Sequence, residues 1–283
     1  MIAPGLYVVA TPIGNAEDIT LRALRVLRTA HVIACEDTRV SAKLLGRYGI
    51  ATARLAYHDH NAERMRPRLL ARLAAGEIVA LISDAGTPLV SDPGFKLVRE
   101  AIAHGVAVTT LPGPSAPLAA LVLSGLPSDR FLFAGFLPAK DAARRSALAA
   151  LKTVPATLIF LESAPRLAAS LAAMAAELGD RPAAVARELT KLHEEVRRAS
   201  LAALAEHYRE AGPPRGEIVV VVGGPEEALA QAPDVRDAAL DDALRAALER
   251  MSIKDATSVV VAALGLPRRA VYARALALAG RAP

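Results

Sequence analysis

The chain predicts an α/β fold in two successive halves, followed by a small helical tail. Three observations carry this. Short apolar runs of strand length alternate with stretches of helical spacing from Leu6 to Val222, the pattern of βαβ units and of mostly parallel or mixed sheets. The run Ile78-Val79-Ala80-Leu81-Ile82 leads straight into Ser83-Asp84-Ala85-Gly86-Thr87-Pro88. That places a turn-rich loop at the carboxyl end of a strand, where open parallel sheets hold their ligands. After Ala232 the strand signal stops and three helical stretches remain. Boundaries near 120 and 230 therefore divide the chain into an α/β domain (1–120), a second α/β domain (121–230) and a helical domain (231–283).

The first strand is Leu6–Ala10, ending in Thr11-Pro12-Ile13-Gly14-Asn15, with a helix from about Thr20 whose Leu21, Leu24, Val26 and Leu27 face inward. Val32–Cys35 follows, ending in Glu36-Asp37-Thr38-Arg39, and the next helix turns Lys43 and Arg47 outward. Then come Arg54-Leu55-Ala56, the polar stretch Tyr57–Asn61 and a basic helix to Ala75. Ser91-Asp92-Pro93-Gly94 leads a helix closed by Gly105, and Val106–Leu111 ends in Pro112-Gly113-Pro114-Ser115-Ala116. A short helix, Leu118–Gly125, precedes a linker at 126–129. In the second half the expected strands are Phe131-Leu132-Phe133, Thr157–Leu161, Ala183–Ala186 and Glu217–Val222, with helices at Asp141–Lys152, Ala164–Leu178 and Ser200–Glu210. The tail holds Leu240–Met251, Lys254–Leu264 and Arg268–Leu278. Ser252 with Asp255 three residues on is an N-cap signature. Gly265-Leu266-Pro267 then turns into a helix opening with Arg268-Arg269, which fits a helix-turn-helix as well as a plain helical hairpin.

Of the 283 residues 53% are hydrophobic and 22% charged, enough for sizeable cores. No apolar run reaches a membrane-spanning length and no basic-then-apolar leader opens the chain, so a cytoplasmic protein is expected. The single cysteine, Cys35, excludes an internal disulfide and reads as a small core residue. A net charge of +5 is compatible with a polyanionic partner.

Several chemistries are missing. The loop Thr11–Asn15 is not a dinucleotide fingerprint, there is no Walker lysine-serine sequence, and no Gly-x-Ser-x-Gly elbow occurs. Asp84 and Asp92 could suggest a magnesium site, but Pro93-Gly94 makes Asp92 read as a helix cap. His58 and His60 are two apart and share no helix face, so no metal site is expected.

The motifs Val9–Asn15, Glu17–Ala23, Glu36–Arg39, Ser83–Pro88, Ser91–Gly94, Ser124–Pro127, Gly135–Pro138 and Ala186–Lys191 together resemble the tetrapyrrole methylase superfamily. Within it they are similar to the branch that methylates the 2'-hydroxyl of a cytidine in small-subunit ribosomal RNA. The likeness spans about residues 4 to 224 plus the tail. It implies S-adenosylmethionine held in a cleft between the two α/β domains, and a homodimer. By position it implies cofactor contacts from Ile13, Asp84, Ala85, Gly86, Thr87, Pro88, Ser115, Ala116, Leu161 and Ala199. The small-molecule enzymes of the superfamily carry Gly-Asp-Pro where this chain has Ser83-Asp84-Ala85, which favours the RNA branch.

A ribose hydroxyl is a poor nucleophile, so a base or a stabilising cation would help it. Glu36, Asp37, Glu188 and Lys191 are the candidates, each equally open to a structural ion-pair role. RNA contacts would fall on Arg39, Lys43 and Arg47, on Lys140, Arg144 and Arg145, and on Arg268, Arg269 and Arg274 of the tail. Two rivals stand beside this reading: a small-molecule methylase of the tetrapyrrole type, and a non-catalytic nucleic-acid-binding protein.

Overall fold

The structure, a computed structural model, describes residues 2–225 and 233–279. The first sheet contains β1 (Gly5–Val9), β2 (Val32–Cys35), β3 (Arg54–Ala56), β4 (Ile78–Ile82) and β5 (Val108–Leu111). Their order is β3-β2-β4-β1-β5 and every pair is parallel. Strand side chains alternate between faces, so β4 sends Val79 and Leu81 to one core and Ile78, Ala80 and Ile82 to the other. Helices α1 (Leu21–Thr29) and α2 (Thr38–Arg47) pack on one side, α3 (Ala62–Ala74) and α4 (Phe95–Ala103) on the other. Burial on both faces explains why these strands read as unbroken apolar runs. Thr20 and Asp37 cap α1 and α2 by accepting the amides of Ala23 and Arg39. Cys35 is fully buried in the core.

The second sheet holds β6 (Phe131–Phe136), β7 (Thr157–Glu162), β8 (Pro182–Arg187), β9 (Glu195–Ser200) and β10 (Ile218–Val222), in the order β6-β7-β10-β8-β9. Here β6–β7 is parallel and the other three pairings are antiparallel. Helices α6 (Asp141–Leu151), α7 (Leu167–Leu178) and α8 (Leu201–Ala211) cover one face, burying Leu148, Met174 and Leu204 against Leu158, Phe160 and Val220. The opposite face is covered by α5 (Ala116–Ser124), whose Ala120 and Leu121 pack on Ile159, Ala184, Val219 and Val221. Residue 120, near the expected change of domain, thus lies inside a helix seated on the second sheet. The strand β9 was not anticipated. Val196 is its one large aliphatic residue, and its charges suit an exposed edge.

In the tail, α9 (Pro233–Leu248), α10 (Ile253–Leu264) and α11 (Arg268–Leu278) enclose Leu240, Leu244, Val260, Val271 and Ala275. Ser252 caps α10 as its spacing predicts, and Gly265 ends that helix with φ 64°. A two-pronged ion pair, Arg274 Nε and Nη2 to Asp241 at 2.6 Å each, joins α11 to α9. Among the described residues no helix is long and apolar enough to cross a membrane.

A cleft between the two sheets as candidate active site

The loop after β4 is knitted to three of its neighbours. Thr11 and Gly86 exchange backbone hydrogen bonds of 2.9 and 3.0 Å, so the ends of β1 and β4 are locked together. Thr87 Oγ1 donates to the Pro114 carbonyl at 3.2 Å, tying in the loop after β5. The Asp37 amide donates to Asp84 Oδ1 at 3.0 Å, tying in the loop after β2. Gly86 sits at φ 76°, a conformation a side chain would strain.

Between this platform and the second sheet lies a cleft of about 250 Å³. Of the residues that the resemblance implies as cofactor contacts, Ile13, Ala85, Gly86, Thr87, Ser115, Ala116 and Leu161 line it. Three expected contacts lie elsewhere. Asp84 turns to a neighbouring hollow, Pro88 is buried beneath the loop, and Ala199 sits at the other end of the second sheet. Because β9 runs antiparallel to β8, Ala199 pairs with Ala183 and so lies level with Val222, four residues of register from Ile218 at the cleft. The cleft is completed by residues the sequence reading did not single out for binding, chiefly Phe136, Glu162, Glu217, Ile218 and Val219.

Two features hold the halves in register. Asn15 N donates to Thr190 Oγ1 at 2.9 Å across the seam. A Cβ on Gly14 would come within 2.5 Å of Lys191 Cγ and 2.8 Å of the Leu189 carbonyl oxygen, so the first loop of one domain abuts the Glu188–Lys191 turn of the other. At the end of β7 the buried Glu162 accepts the Ser163 amide at 2.7 Å and the Ser170 hydroxyl. Arg166 lies 3.4 Å from that carboxylate and donates to the Pro138 carbonyl at 3.1 Å, which fixes the Gly135–Pro138 strap carrying Phe136.

The four catalytic candidates divide into two pairs. Glu36 and Asp37 line the neighbouring hollow with Thr38, Arg39, His58 and Asp84. Burial, and then the negative charges of Asp84 and Asp92, push the Glu36 carboxyl above its usual range. Hydrogen bonds from Arg39 hold Asp37 down at about 2. Glu188 and Lys191 lie at the seam, where Lys191 Nζ bridges Glu188 Oε1 at 2.8 Å and Glu217 Oε2 at 3.0 Å. That pairing lowers the Glu188 pKa, and both groups are engaged in holding the turn. Asp92 is not a cap: the N-cap of α4 is Gly94, with no side-chain cap, and Asp92 lines the cleft instead. Among the described residues no group of three His, Cys, Asp or Glu side chains is placed to hold a metal ion.

The basic candidates differ in availability. Lys43, Arg47, Lys140, Arg268 and Arg269 are exposed. Arg39 is exposed but paired with Asp37 at 2.6 Å. Arg144, expected on the surface, is buried and bound to Asp141, because the turn of α6 that carries it faces the core. Arg145 is shared between Asp141 and Glu177.

The family profile described as Tetrapyrrole (Corrin/Porphyrin) Methylases matches residues 5–205, and one described as RsmI C-terminal HTH domain matches 234–279. The chain is 57% identical to the ribosomal RNA small subunit methyltransferase I of Mesorhizobium japonicum, over 98% of this chain and 93% of that one. It is 47% identical to the protein of the same name from Pseudomonas aeruginosa, over 99% and 100%. Among solved structures, diphthine synthase superposes with a TM-score of 0.60 at 18% identity, covering 82% of this chain and 94% of that one. Uroporphyrin-III C-methyl transferase from Thermus thermophilus, complexed with S-adenyl homocysteine, superposes with a TM-score of 0.54 at 24% identity over 77% and 97%. These last two likenesses show the shared fold. By the match over residues 5–205 and the identity to these relatives, the chain belongs to the tetrapyrrole methylase family.

Proposed function

We propose that this protein transfers a methyl group from S-adenosylmethionine to the ribose 2'-hydroxyl of a cytidine in small-subunit ribosomal RNA. The observation that carries the reading is the lining of the cleft. Its walls are Ile13, Phe136, Leu161, Leu189, Ile218 and Val219, its polar groups are hydroxyls and carboxylates, and among the described residues no lysine or arginine contributes. Such a lining fits an adenosine body joined to a cationic sulfur, and is ill suited to a phosphate. S-adenosylmethionine supplies an electrophilic methyl group on that sulfur. Around it Ile13 and Leu161 would hold the flat apolar part, while Thr87, Ser115 and the Ala85–Gly86 backbone would orient the amino acid head. Much of the rate then comes from fixing donor and acceptor in one geometry. The names of the similar proteins and the match of the tail to a helix-turn-helix profile support RNA over a macrocycle as substrate. Arg268 and Arg269, exposed at the start of α11, would meet phosphates. A homodimer in the cytoplasm completes the proposal, and light scattering of the purified protein tests the dimer.

The experiment is transfer of tritium from labelled S-adenosylmethionine to small ribosomal subunits taken from cells lacking this gene, followed by nucleoside analysis. Label in 2'-O-methylcytidine is expected. Cofactor binding without label on subunits or free RNA would overturn the RNA substrate.

A further inference from the structure

β6 breaks its own alternation just before it reaches the cleft. Leu132 and Ala134 face the core under α6, α7 and α8, while Phe133 faces the core under α5. Continued two by two, that pattern would send Phe136 to the same side as Ala134. Instead the register with β7 shifts between Phe133 and Gly135, so that Phe133 pairs with Ile159 and Phe136 with Leu161. Ile159 and Leu161 share a face of β7, and Phe136 joins them there. A one-residue slip moves every later side chain to the other face, and here it turns an aromatic ring into the lining of the cleft. Gly135 takes φ 65° at the slip, a conformation that favours glycine.

The ring gains no burial from this. Phe136 is 57% exposed, yet the chain around it is firmly held. Arg166 Nη2 donates to the carbonyls of Leu137 at 2.5 Å and Pro138 at 3.1 Å. Its guanidinium is in turn held by Glu162, whose side chain is wholly buried. Leu137 is itself buried. Ser91 Oγ lies 3.7 Å from where a Cβ on Gly135 would stand, so the strap rests against the loop after β4. Bulges of this kind re-aim a side chain beside a site, and this one presents an open aromatic face pinned from behind.

The methyl donor is not the occupant that face selects. Its flat part has Ile13 and Leu161 to lie against, and Ile13 is buried. The ribose oxygen has to approach the methyl group from the open side of the cleft, which brings the attached base over the exposed rim. Unpaired RNA bases are seated on aromatic rings, and enzymes that act on one base of a larger nucleic acid take it out of its stack. We propose that Phe136 is the stacking platform for the base of the target nucleotide, a role that rests on the ribose-methylating function argued above. Stacking accepts any base, so Phe136 sets how firmly the nucleotide is held and not which base is chosen. Lys140, exposed four residues on at the N-cap of α6, would meet the adjoining phosphate.

The test uses the full chain and small ribosomal subunits from cells lacking this gene. Phe136→Ala should lower kcat/KM for methyl transfer by about 10- to 100-fold, the worth of one stacked base. Its Kd for S-adenosylmethionine by calorimetry should stay within about threefold of the unaltered protein. Phe136→Trp should recover most of the lost kcat/KM, and Phe136→Leu, apolar without a ring, little of it. The chain has no tryptophan, so Phe136→Trp also reports on its own ring, whose fluorescence should be quenched by subunits. Quenching by S-adenosylmethionine alone would overturn the proposal, since the ring would then hold the donor. So would fluorescence unchanged by subunits, equal recovery by Phe136→Leu, or a Phe136→Ala kcat/KM within about threefold of the unaltered protein. Absence of transfer by the unaltered protein would instead overturn the proposed function, and the platform with it.

Discussion

The two sheets of this molecule bring their residues to one cleft by different routes. In the first sheet all strands are parallel, so each contributes only the loop that follows it, and the loops after β1, β2, β4 and β5 meet at one edge. In the second sheet β10 runs against β7 and β8. The same cleft therefore receives the end of β7, as Leu161 and Glu162, and the beginning of β10, as Glu217, Ile218 and Val219. A parallel sheet writes its site after its strands. A mixed sheet writes it on both sides of them.

The sharpest way to break this comparison is at the seam, where both sheets must be in place. Gly14→Ala would drive a Cβ into Lys191, Thr190 and the Leu189 backbone. Overpacking of this kind costs about 1–3 kcal/mol. Because it separates the walls of the cleft, S-adenosylmethionine should bind about tenfold or more weakly by calorimetry. Undiminished affinity would mean that the first sheet's loops suffice alone.

Next in size is a change confined to the second half. Arg181 is buried and donates to the carbonyls of Leu178 at 2.9 Å, Lys152 at 2.6 Å and Gly223 at 3.4 Å, gathering the ends of α7, α6 and β10. Removing a donor from buried acceptors costs about 1–3 kcal/mol each at most sites. Arg181→Met should lower the melting temperature by roughly 3–10 °C and leave cofactor affinity nearly intact, since these groups lie away from the cleft.

The tail supplies a smaller, pH-dependent effect. Two hydrogen bonds from Arg274 hold the Asp241 carboxyl below its ordinary value of 3.8. A depressed folded pKa contributes stability above the unfolded value and loses it as pH falls through the folded one. Amide exchange in α9 and α11 should therefore speed up below about pH 4, and Asp241→Asn should remove that acid step.

The smallest effect expected is none. Ala199→Ser, on an exposed edge strand at the opposite end of the sheet, should leave the cofactor Kd within about twofold. A marked loss would contradict the strand direction on which the comparison rests.

That contrast also sets how much of the site the sequence discloses. The Ser83–Pro88 loop was legible because an apolar run followed by glycine, proline and hydroxyl residues has one natural place in a parallel sheet. Ile13, Ser115 and Ala116 were reached only through the family resemblance carried by the surrounding motifs. Glu217 precedes its strand, and Glu162 closes one whose direction matters only through its neighbours, so neither carries a local signal. Ala199 was implied at the cleft by position in the family alone, and the antiparallel pairing of β9 with β8, which no local signal announces, carries it to the other end of the sheet. Arg144 looked like a surface arginine, and only packing of α6 shows that its guanidinium turns inward to Asp141. The tail was the most legible region, since Ser252, Gly265 and the apolar spacing specify helix ends without reference to distant partners.

The order β6-β7-β10-β8-β9 has a consequence for the chain as it is made. The last strand of the second sheet lies in its middle, between β7 and β8, which otherwise have no bonded contact with each other. A polypeptide that has emerged only as far as Gly216 has two strand pairs with open edges and no common sheet. Such edges are prone to pair with other chains. Closing them requires residues 218–222, and the same residues complete one wall of the cleft. Competence to bind the methyl donor should thus arrive in one step, late in synthesis, and a chain truncated before Ile218 should neither bind it nor remain dispersed.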